Sequence, residues 1–121
     1  MIDTGVYGNH DEFKDSHGES RVAPGATFLT DESLPLPPAD DKICQPHGTH
    51  CASLAAGNTF GPAKGAVIVP VRVLDCYGSG WTSDIISGIS WAIDDAKEHA
   101  GLHGTRSVFS ISLGGGKRAG S

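Results

Sequence analysis

The sequence AVIVPVRVL at residues 66–74 decides the fold class, because it is apolar at almost every position. A strand with one solvated face alternates apolar and polar side chains, and this run does not. It therefore predicts a strand that is buried on both faces. Such strands are typical of parallel sheets, which are covered by helices on both sides.

The sequence that follows predicts a helix and then another strand. Thr82 or Ser83 can cap the helix, Asp84 favours its N-terminal dipole, and Gly101 lies beyond its predicted end. Residues 107–113, SVFSISL, predict the strand. The apolar face of the helix repeats at helical spacing and comprises Ile85, Ile89, Ala92, Ile93 and Ala96.

Elements earlier in the chain complete an alternating pattern. The first strand ends at Asp3, and a short strand lies near residues 22–29. A helix is predicted from about His47 to Ala56, where Gly57 stops it. Strands that alternate with helices predict right-handed crossovers and an α/β fold with a mainly parallel sheet. In such sheets, functional residues collect at the carboxyl ends of the strands.

Charge and hydropathy exclude two classes of function. The 121 residues carry 14 acidic and 9 basic side chains, a net charge of −5, whereas nucleic-acid binding needs clustered Lys and Arg. The longest apolar run, residues 66–71, is far too short to cross a bilayer. We therefore expect no nucleic-acid partner and no membrane segment. Because the sequence starts within a strand and stops in a loop, we also expect a fragment of a longer protein.

Two residues offer acid–base chemistry at the predicted rim of the sheet. Asp3 leaves the first strand, and its carboxylate can accept a hydrogen bond from a histidine ring nitrogen. Such a bond fixes the tautomer and leaves the other ring nitrogen of His47 free to act as a general base. Each residue alone also has an ordinary interpretation, Asp3 as a turn residue and His47 as a helix cap or an exposed side chain.

Four short sequences occur in a specific order along the chain. They are IDTGV at residues 2–6, HGTHCA at 47–52, VRVLDCYGSG at 71–80 and SISLGGG at 110–116. Their order and spacing resemble the subtilisin-like serine proteases, and within them the proteinase K branch. The resemblance implies a partial subtilisin-like three-layer α/β fold with a mainly parallel sheet. Residues 1–121 would then be an N-terminal, incomplete peptidase domain that carries the Asp and His segments and lacks the Ser segment.

The resemblance also implies roles for individual residues. Asp3 and His47 would be two members of the catalytic triad of a serine-type endopeptidase that cleaves extended polypeptides. An inhibitory propeptide is a further partner that the family suggests. Two exposed edges would bind the substrate backbone between them. The first edge comprises Tyr77, Gly78, Ser79 and Gly80, and the second comprises Ser112, Leu113 and Gly114.

The 3 cysteines admit three possible pairings, each of which leaves one cysteine unpaired, and the resemblance favours one of these pairings. Cys51, four residues after His47, would be a buried free thiol. Cys44 and Cys76 would form a disulfide, and a loop of that length contributes about 3–4 kcal/mol in the chain-entropy model. A disulfide implies an oxidising compartment, so we expect an extracellular, secreted protein.

No nucleophile is recognisable in the sequence. The family's Ser lies in a GTSMA-like sequence well after the His, and no such sequence follows His47. The family's oxyanion-hole Asn is missing too, since no Asn follows Asn58. Ser90 lies in the middle of the predicted helix, where a hydroxyl usually bonds to a backbone carbonyl. We therefore expect the chain alone to be inactive. The alternative is a non-catalytic peptide-binding remnant or pseudoenzyme.

A small metal-binding domain is a third interpretation. Four potential zinc ligands lie close together in the sequence, but their spacing matches no known zinc finger. Acidic pairs at residues 31–32 and 40–41 are better explained as solvated loops than as calcium ligands. We expect no metal and no cofactor, although the resemblance allows calcium in the full-length enzyme. The four potential zinc ligands are Cys44, His47, His50 and Cys51.

Overall fold

The computed structural model describes residues 1–30 and 46–115. These residues form three short strands, two α-helices and one 3-10 helix. The strands are β1 (Ile2–Asp3), β2 (Ala26–Thr27) and β3 (Val71–Arg72). The helices are α1 (His47–Ala56), α2 (Thr82–His103) and the 3-10 helix Asp11–Phe13. No described helix combines the length and the hydropathy needed to cross a membrane.

The three strands form one parallel sheet in the order β1-β3-β2. The central strand, β3, comes from the apolar run at residues 66–74, and β2 lies within the short strand predicted at residues 22–29. On the outer side of β1, Ile111 forms a parallel bridge to Ile2. The prediction of an α/β fold with a parallel sheet is therefore confirmed.

Helices cover both faces of the sheet. Neighbouring residues of a strand point to opposite faces, so the contacts of alternate residues show which helix covers which face. Val71 and Val73 pack with Ala92 of α2 in one apolar cluster. The opposite face, which includes the side chain of Asp3, is covered by α1. Ala52 of α1 belongs to a second, separate cluster. The fold consequently has three layers, with the sheet between α1 and α2.

Two predicted strands are shorter in the structure. Residues 70–74 are buried on both faces as predicted, but Val67 is 68% exposed. Residues 107–109 are exposed and lie outside any strand, and Ile111 pairs only as an isolated bridge. The strand predicted at residues 107–113 was too long, since its described pairing with β1 consists of the Ser110 carbonyl, which accepts from the Ile2 N–H at 3.0 Å, and the bridge at Ile111.

The first turn of α2 is held by Asp84 rather than by a capping residue. The N-cap is Trp81 and makes no side-chain cap, so the prediction that Thr82 or Ser83 caps the helix is wrong. Buried Asp84 instead accepts hydrogen bonds from the backbone N–H and the hydroxyl of Thr30, both at 3.1 Å. These bonds tie the start of α2 to the chain that leaves β2.

The last turns of α2 extend beyond the predicted end. The helix continues through Gly101 to His103 and stops at Gly104, whose φ of 66° is left-handed. A glycine inside a helix costs about 1 kcal/mol relative to alanine, and α2 continues past Gly101 despite this cost. Gly104, not Gly101, is therefore the terminating residue.

Helix α1 has the predicted bounds, and polar contacts fix its last turn. Gly57 ends it with φ of −68°, and a Cβ at this position would lie 2.5 Å from a backbone oxygen, so close packing demands the glycine. The buried guanidinium of Arg21 donates to the Ala56 carbonyl at 2.8 Å. Beside it, hydrogen bonds from the hydroxyl and the N–H of Thr59 hold the pKa of Glu12 below its ordinary value.

Gly88 and Gly101 provide a matched pair of substitutions in α2. A Cβ at Gly88 would lie 2.3 Å from Val73 Cγ1, whereas nothing lies within 4 Å of one at Gly101. We expect Gly88→Ala to lower the free energy of unfolding by about 1–3 kcal/mol through overpacking. Gly101→Ala should raise it by roughly 0.5–1 kcal/mol. Urea unfolding followed by circular dichroism measures both changes, and equal effects at the two positions would contradict this packing of α2.

Candidate active site

Asp3 ends β1 with its carboxylate fully buried. The backbone N–H of Thr4 donates to its Oδ1 at 2.7 Å. The backbone carbonyl of Asp3 accepts from the Val73 N–H at 3.0 Å, which holds the end of β1 against the chain that leaves β3. A buried carboxylate is costly unless several donors compensate for the lost water. The side chain therefore needs a donor in addition to Thr4.

The second donor is His47, the first residue of α1. Its Nδ1 lies 2.8 Å from Oδ1 and 3.0 Å from Oδ2 of Asp3. An ionised carboxylate can only accept, so Nδ1 carries the proton and Nε2 keeps a lone pair. The His47 side chain is 41% exposed while that of Asp3 is 0% exposed, so a reacting group can approach the ring but not the carboxylate. The contact predicted from the sequence is present.

Gly48 allows α1 to approach β1 closely enough for this contact. A Cβ at Gly48 would lie 2.1 Å from the Gly5 carbonyl oxygen. The N–H of Gly48 belongs to the first helical turn, which lacks intrahelical acceptors, and it donates to Thr4 Oγ1 at 3.0 Å. A hydrogen bond thus links Thr4, which follows Asp3, to Gly48, which follows His47.

Pro46 occupies the N-cap position of α1 with φ of −82° and makes no side-chain cap. A proline lacks an N–H, but the N–H at this position has no helical acceptor in any case. Its carbonyl still accepts from the His50 N–H at 2.8 Å. The proline is therefore compatible with a helix that begins at His47.

Cys51 also lies beside the His47 ring. Its Sγ is 3.9 Å from both ring nitrogens, and the thiol is free and partly buried rather than fully buried. The spacing of four residues on one helix could have indicated this contact from the sequence. The thiol is a weak hydrogen-bond donor within reach of the ring.

One group of possible metal ligands occurs among residues 1–30 and 46–115. It consists of Asp3, His47 and Cys51, whose ligand atoms lie within 4.8 Å of one another. A thiolate, an imidazole and a carboxylate suit zinc or a softer ion. His50 lies outside this group, and Cys44 and both acidic pairs lie outside the described residues.

The loop after β3, which was predicted as the first substrate edge, is a tight turn built on Asp75. The Asp75 carboxylate accepts from the N–H groups of Tyr77 and Ser79 at 2.9 and 3.0 Å. Gly78 donates its N–H to the Asp75 carbonyl at 3.0 Å and has φ of 83°, which favours glycine. Three N–H groups are therefore used inside the turn. Tyr77, Ser79 and Gly80 remain exposed residues of the turn.

The second predicted substrate edge follows Ile111 on the other side of β1. Ser112 and Gly114 are exposed, while Leu113 is partly buried against the cluster that contains the β3 valines. Because β3 and Ile111 both pair parallel with β1, the carboxyl ends on its two flanks share a rim with Asp3. The topology thus brings both predicted edges and the Asp3–His47 pair to one end of the sheet.

Ser90 and Cys76 are the remaining residues of interest. Ser90 is an exposed residue of α2, which lies on the face of the sheet opposite α1. It is separated from His47 by the sheet and cannot act as its nucleophile.

Cys76 Sγ lies 3.6 Å from Arg72 Nη2. Since Cys44 lies outside the described residues, its pairing with Cys76 stays a prediction.

A buried carboxylate that orients a histidine in an α/β fold is the acid–base arrangement of serine-type hydrolases. The comparison with known families agrees with this class. The sequence model of the subtilase family matches residues 1–121. The chain therefore belongs to the subtilase family.

Individual relatives are named as proteases. The chain is 40% identical to a cuticle-degrading serine protease of Arthrobotrys oligospora, over 98% of this chain and 26% of the relative. It is 41% identical to subtilisin-like protease 7 of Arthroderma otae, over 95% of this chain and 25% of the relative. A solved cold-adapted subtilisin-like serine proteinase superposes with a TM-score of 0.57 and 41% identity, over 78% of this chain and 30% of that chain. The chain thus spans about a quarter of the curated relatives' length.

We expect Gly48→Ala to separate α1 from β1. The added Cβ meets a backbone oxygen, which cannot move aside, so the free energy of unfolding should fall by about 1–3 kcal/mol. The N–H of Tyr7, which donates to Thr49 Oγ1 at 2.9 Å, should also exchange faster with solvent deuterium. The matched control is Gly65→Ala, because nothing lies within 4 Å of a Cβ there. Unchanged stability and exchange in Gly48→Ala would contradict the close approach.

Proposed function

We propose that this chain supplies the acid–base half of a subtilisin-like serine endopeptidase. The observation that carries the proposal is the contact between buried Asp3 and the partly exposed ring of His47. The two residues are 44 positions apart, and the fold brings them together at the rim where the strands end. Membership of the subtilase family supports the reaction type.

In the proposed reaction, His47 acts first as a base and then as an acid. Nε2 takes the proton from a serine hydroxyl as its oxygen attacks the scissile carbonyl, and the ring later gives that proton to the leaving amine. Asp3 keeps Nδ1 protonated and stabilises the imidazolium that forms between these steps. The fixed donor from Thr4 keeps the carboxylate aimed at the ring.

We propose that the serine nucleophile is supplied by a segment outside these 121 residues. Among the described residues, the hydrogen-bond partners of the His47 ring are the Asp3 carboxylate and the Cys51 thiol, and no hydroxyl is bonded to it. The sequence also lacks a GTSMA-like segment. Without a nucleophile no acyl-enzyme can form, so the chain alone should be inactive.

The proposed substrate is an extended polypeptide whose backbone lies between the two edges that flank β1. Main-chain hydrogen bonds at such edges bind a peptide largely without regard to its side chains. On the first edge Tyr77, Ser79 and Gly80 are exposed, while Asp75 engages the N–H groups of Tyr77 and Ser79. On the second edge Ser112 and Gly114 are exposed.

Three finer features of the proposal come from the resemblance to the family. They are secretion, a disulfide between Cys44 and Cys76, and control by an inhibitory propeptide. The first two are linked, because a disulfide persists in an oxidising compartment. A mass shift of 2 hydrogen atoms on reduction, mapped to these two cysteines after proteolysis, tests the pairing.

The activity of the chain can be tested with and without a serine-bearing segment. We expect the 121-residue chain to hydrolyse no chromogenic peptide and to resist labelling by a fluorophosphonate. A fusion to the part of the Arthrobotrys oligospora protease that follows its matched region should hydrolyse the peptide and become labelled. His47→Ala in that fusion should lower kcat by at least about 10³-fold, because the base is lost.

The control for this experiment is His17→Ala, which removes an exposed histidine of the same chain. It should leave hydrolysis by the fusion unchanged. Labelling of the chain alone, or full activity of the His47→Ala fusion, would contradict the proposed division of the triad. A fusion that binds the peptide but neither cleaves it nor becomes labelled would instead support a non-catalytic, peptide-binding protein.

A further inference from the structure

We propose that His99 and His103 form a surface site for a divalent transition-metal ion at the end of α2. The two residues are four positions apart in the helix, and this spacing places their side chains on one face, one turn apart. Their ring centroids are 6.2 Å apart, and the ring planes are inclined by 42°. This site lies outside the proposed peptidase site and does not depend on it.

The distance between the rings suits a shared ion. Zinc binds imidazole nitrogen at about 2.0–2.1 Å, so two imidazoles on one ion have centroids roughly 5–6 Å apart. The observed separation of 6.2 Å is just above that range, and a small rotation of either side chain brings the rings within it. Both side chains are exposed, so an ion reaches the rings directly from solvent and water can complete its coordination.

The tautomer of His99 is already set for metal binding. Its Nδ1 donates to the backbone carbonyl of Asp95 at 2.9 Å, so Nδ1 carries the proton and Nε2 presents a lone pair. Metal-binding histidines usually donate their other ring nitrogen to a carbonyl or carboxylate in this way. The Asp95 carboxylate lies 3.6 Å from the same Nδ1 and places a negative charge beside it.

The surrounding charge also favours a cation. His103 is the last residue of α2, where the helix dipole places partial negative charge. Over residues 94–98, Asp94, Asp95 and Glu98 outnumber Lys97. Imidazole pairs select Zn²⁺, Ni²⁺ and Cu²⁺, whereas Ca²⁺ and Mg²⁺ prefer oxygen ligands. The predicted ligand class is therefore a borderline transition-metal ion.

The site has a structural consequence for α2. An ion held by residues 99 and 103 spans the final turn, which contains Gly101, a residue of low helix propensity. Because the metal binds the helical form and not the unwound chain, it should stabilise that turn. Beyond Gly104 the chain runs as exposed, irregular structure towards Ile111 beside β1, so the site fixes the point where this segment leaves the helix.

The test is isothermal titration of Ni²⁺ and Zn²⁺ into the 121-residue chain carrying Cys51→Ser, which removes the thiol beside the peptidase site. We expect one ion to bind, with affinity lowered at least tenfold by His99→Ala or by His103→Ala. A sharper control combines His103→Ala with Ala100→His. It keeps the number of histidines but makes them adjacent in sequence, so that they no longer share a helix face.

Each outcome of the titration either supports or overturns the proposed metal site. Support requires tenfold weaker binding in the rearranged variant, unchanged binding in His17→Ala, and a metal-dependent gain in the thermal midpoint of the helical circular-dichroism signal in the parent only. Full affinity in either single alanine variant or in the rearranged variant would overturn the proposal. Equal binding of Ca²⁺ would overturn the ligand class. Circular dichroism without metal verifies that the variants retain the helix content of the parent.

Discussion

The burial of the Asp3 carboxylate is the constraint on which the site depends. A carboxylate removed from water is stable only where hydrogen-bond donors replace the solvent, and here they are the N–H of Thr4 and Nδ1 of His47. Each donor comes from a different element, one from the turn after β1 and the other from the start of α1. The same bonds that offset the cost of burial therefore fix the histidine ring in the orientation that general-base catalysis requires.

The rest of the fold serves to bring these two elements together. β3 lies at the centre of the sheet and holds the carbonyl of Asp3 through the Val73 N–H. Gly48 removes the side chain that would otherwise separate α1 from β1. On the opposite face, the absence of a side chain at Gly88 allows α2 to pack closely against Val73. Glycines at the two helix–sheet contacts thus allow a thin sheet of short strands to be covered closely on both sides.

Much of this arrangement could be predicted from the sequence. The apolar run at residues 66–74 predicted the parallel sheet, and the short sequences around Asp3 and His47 predicted their contact. Sequence patterns failed where a tertiary contact replaces a local one. Asp84 holds the first turn of α2 by accepting hydrogen bonds from Thr30, and no side-chain cap is present. Gly101 was predicted to lie beyond the end of α2 but is one of its helical residues. The strand predicted at residues 107–113 is reduced to an isolated bridge between Ile111 and Ile2 among the described residues.

The central claim is that Asp3 holds His47 in the tautomer of a general base. Nitrogen-15 NMR of the imidazole, at a pH where the ring is neutral, measures this directly. We predict a proton on Nδ1 and none on Nε2 in the native chain, and loss of that preference in Asp3→Ala. A native chain with the proton on Nε2, or a preference that is unchanged in Asp3→Ala, would contradict the account.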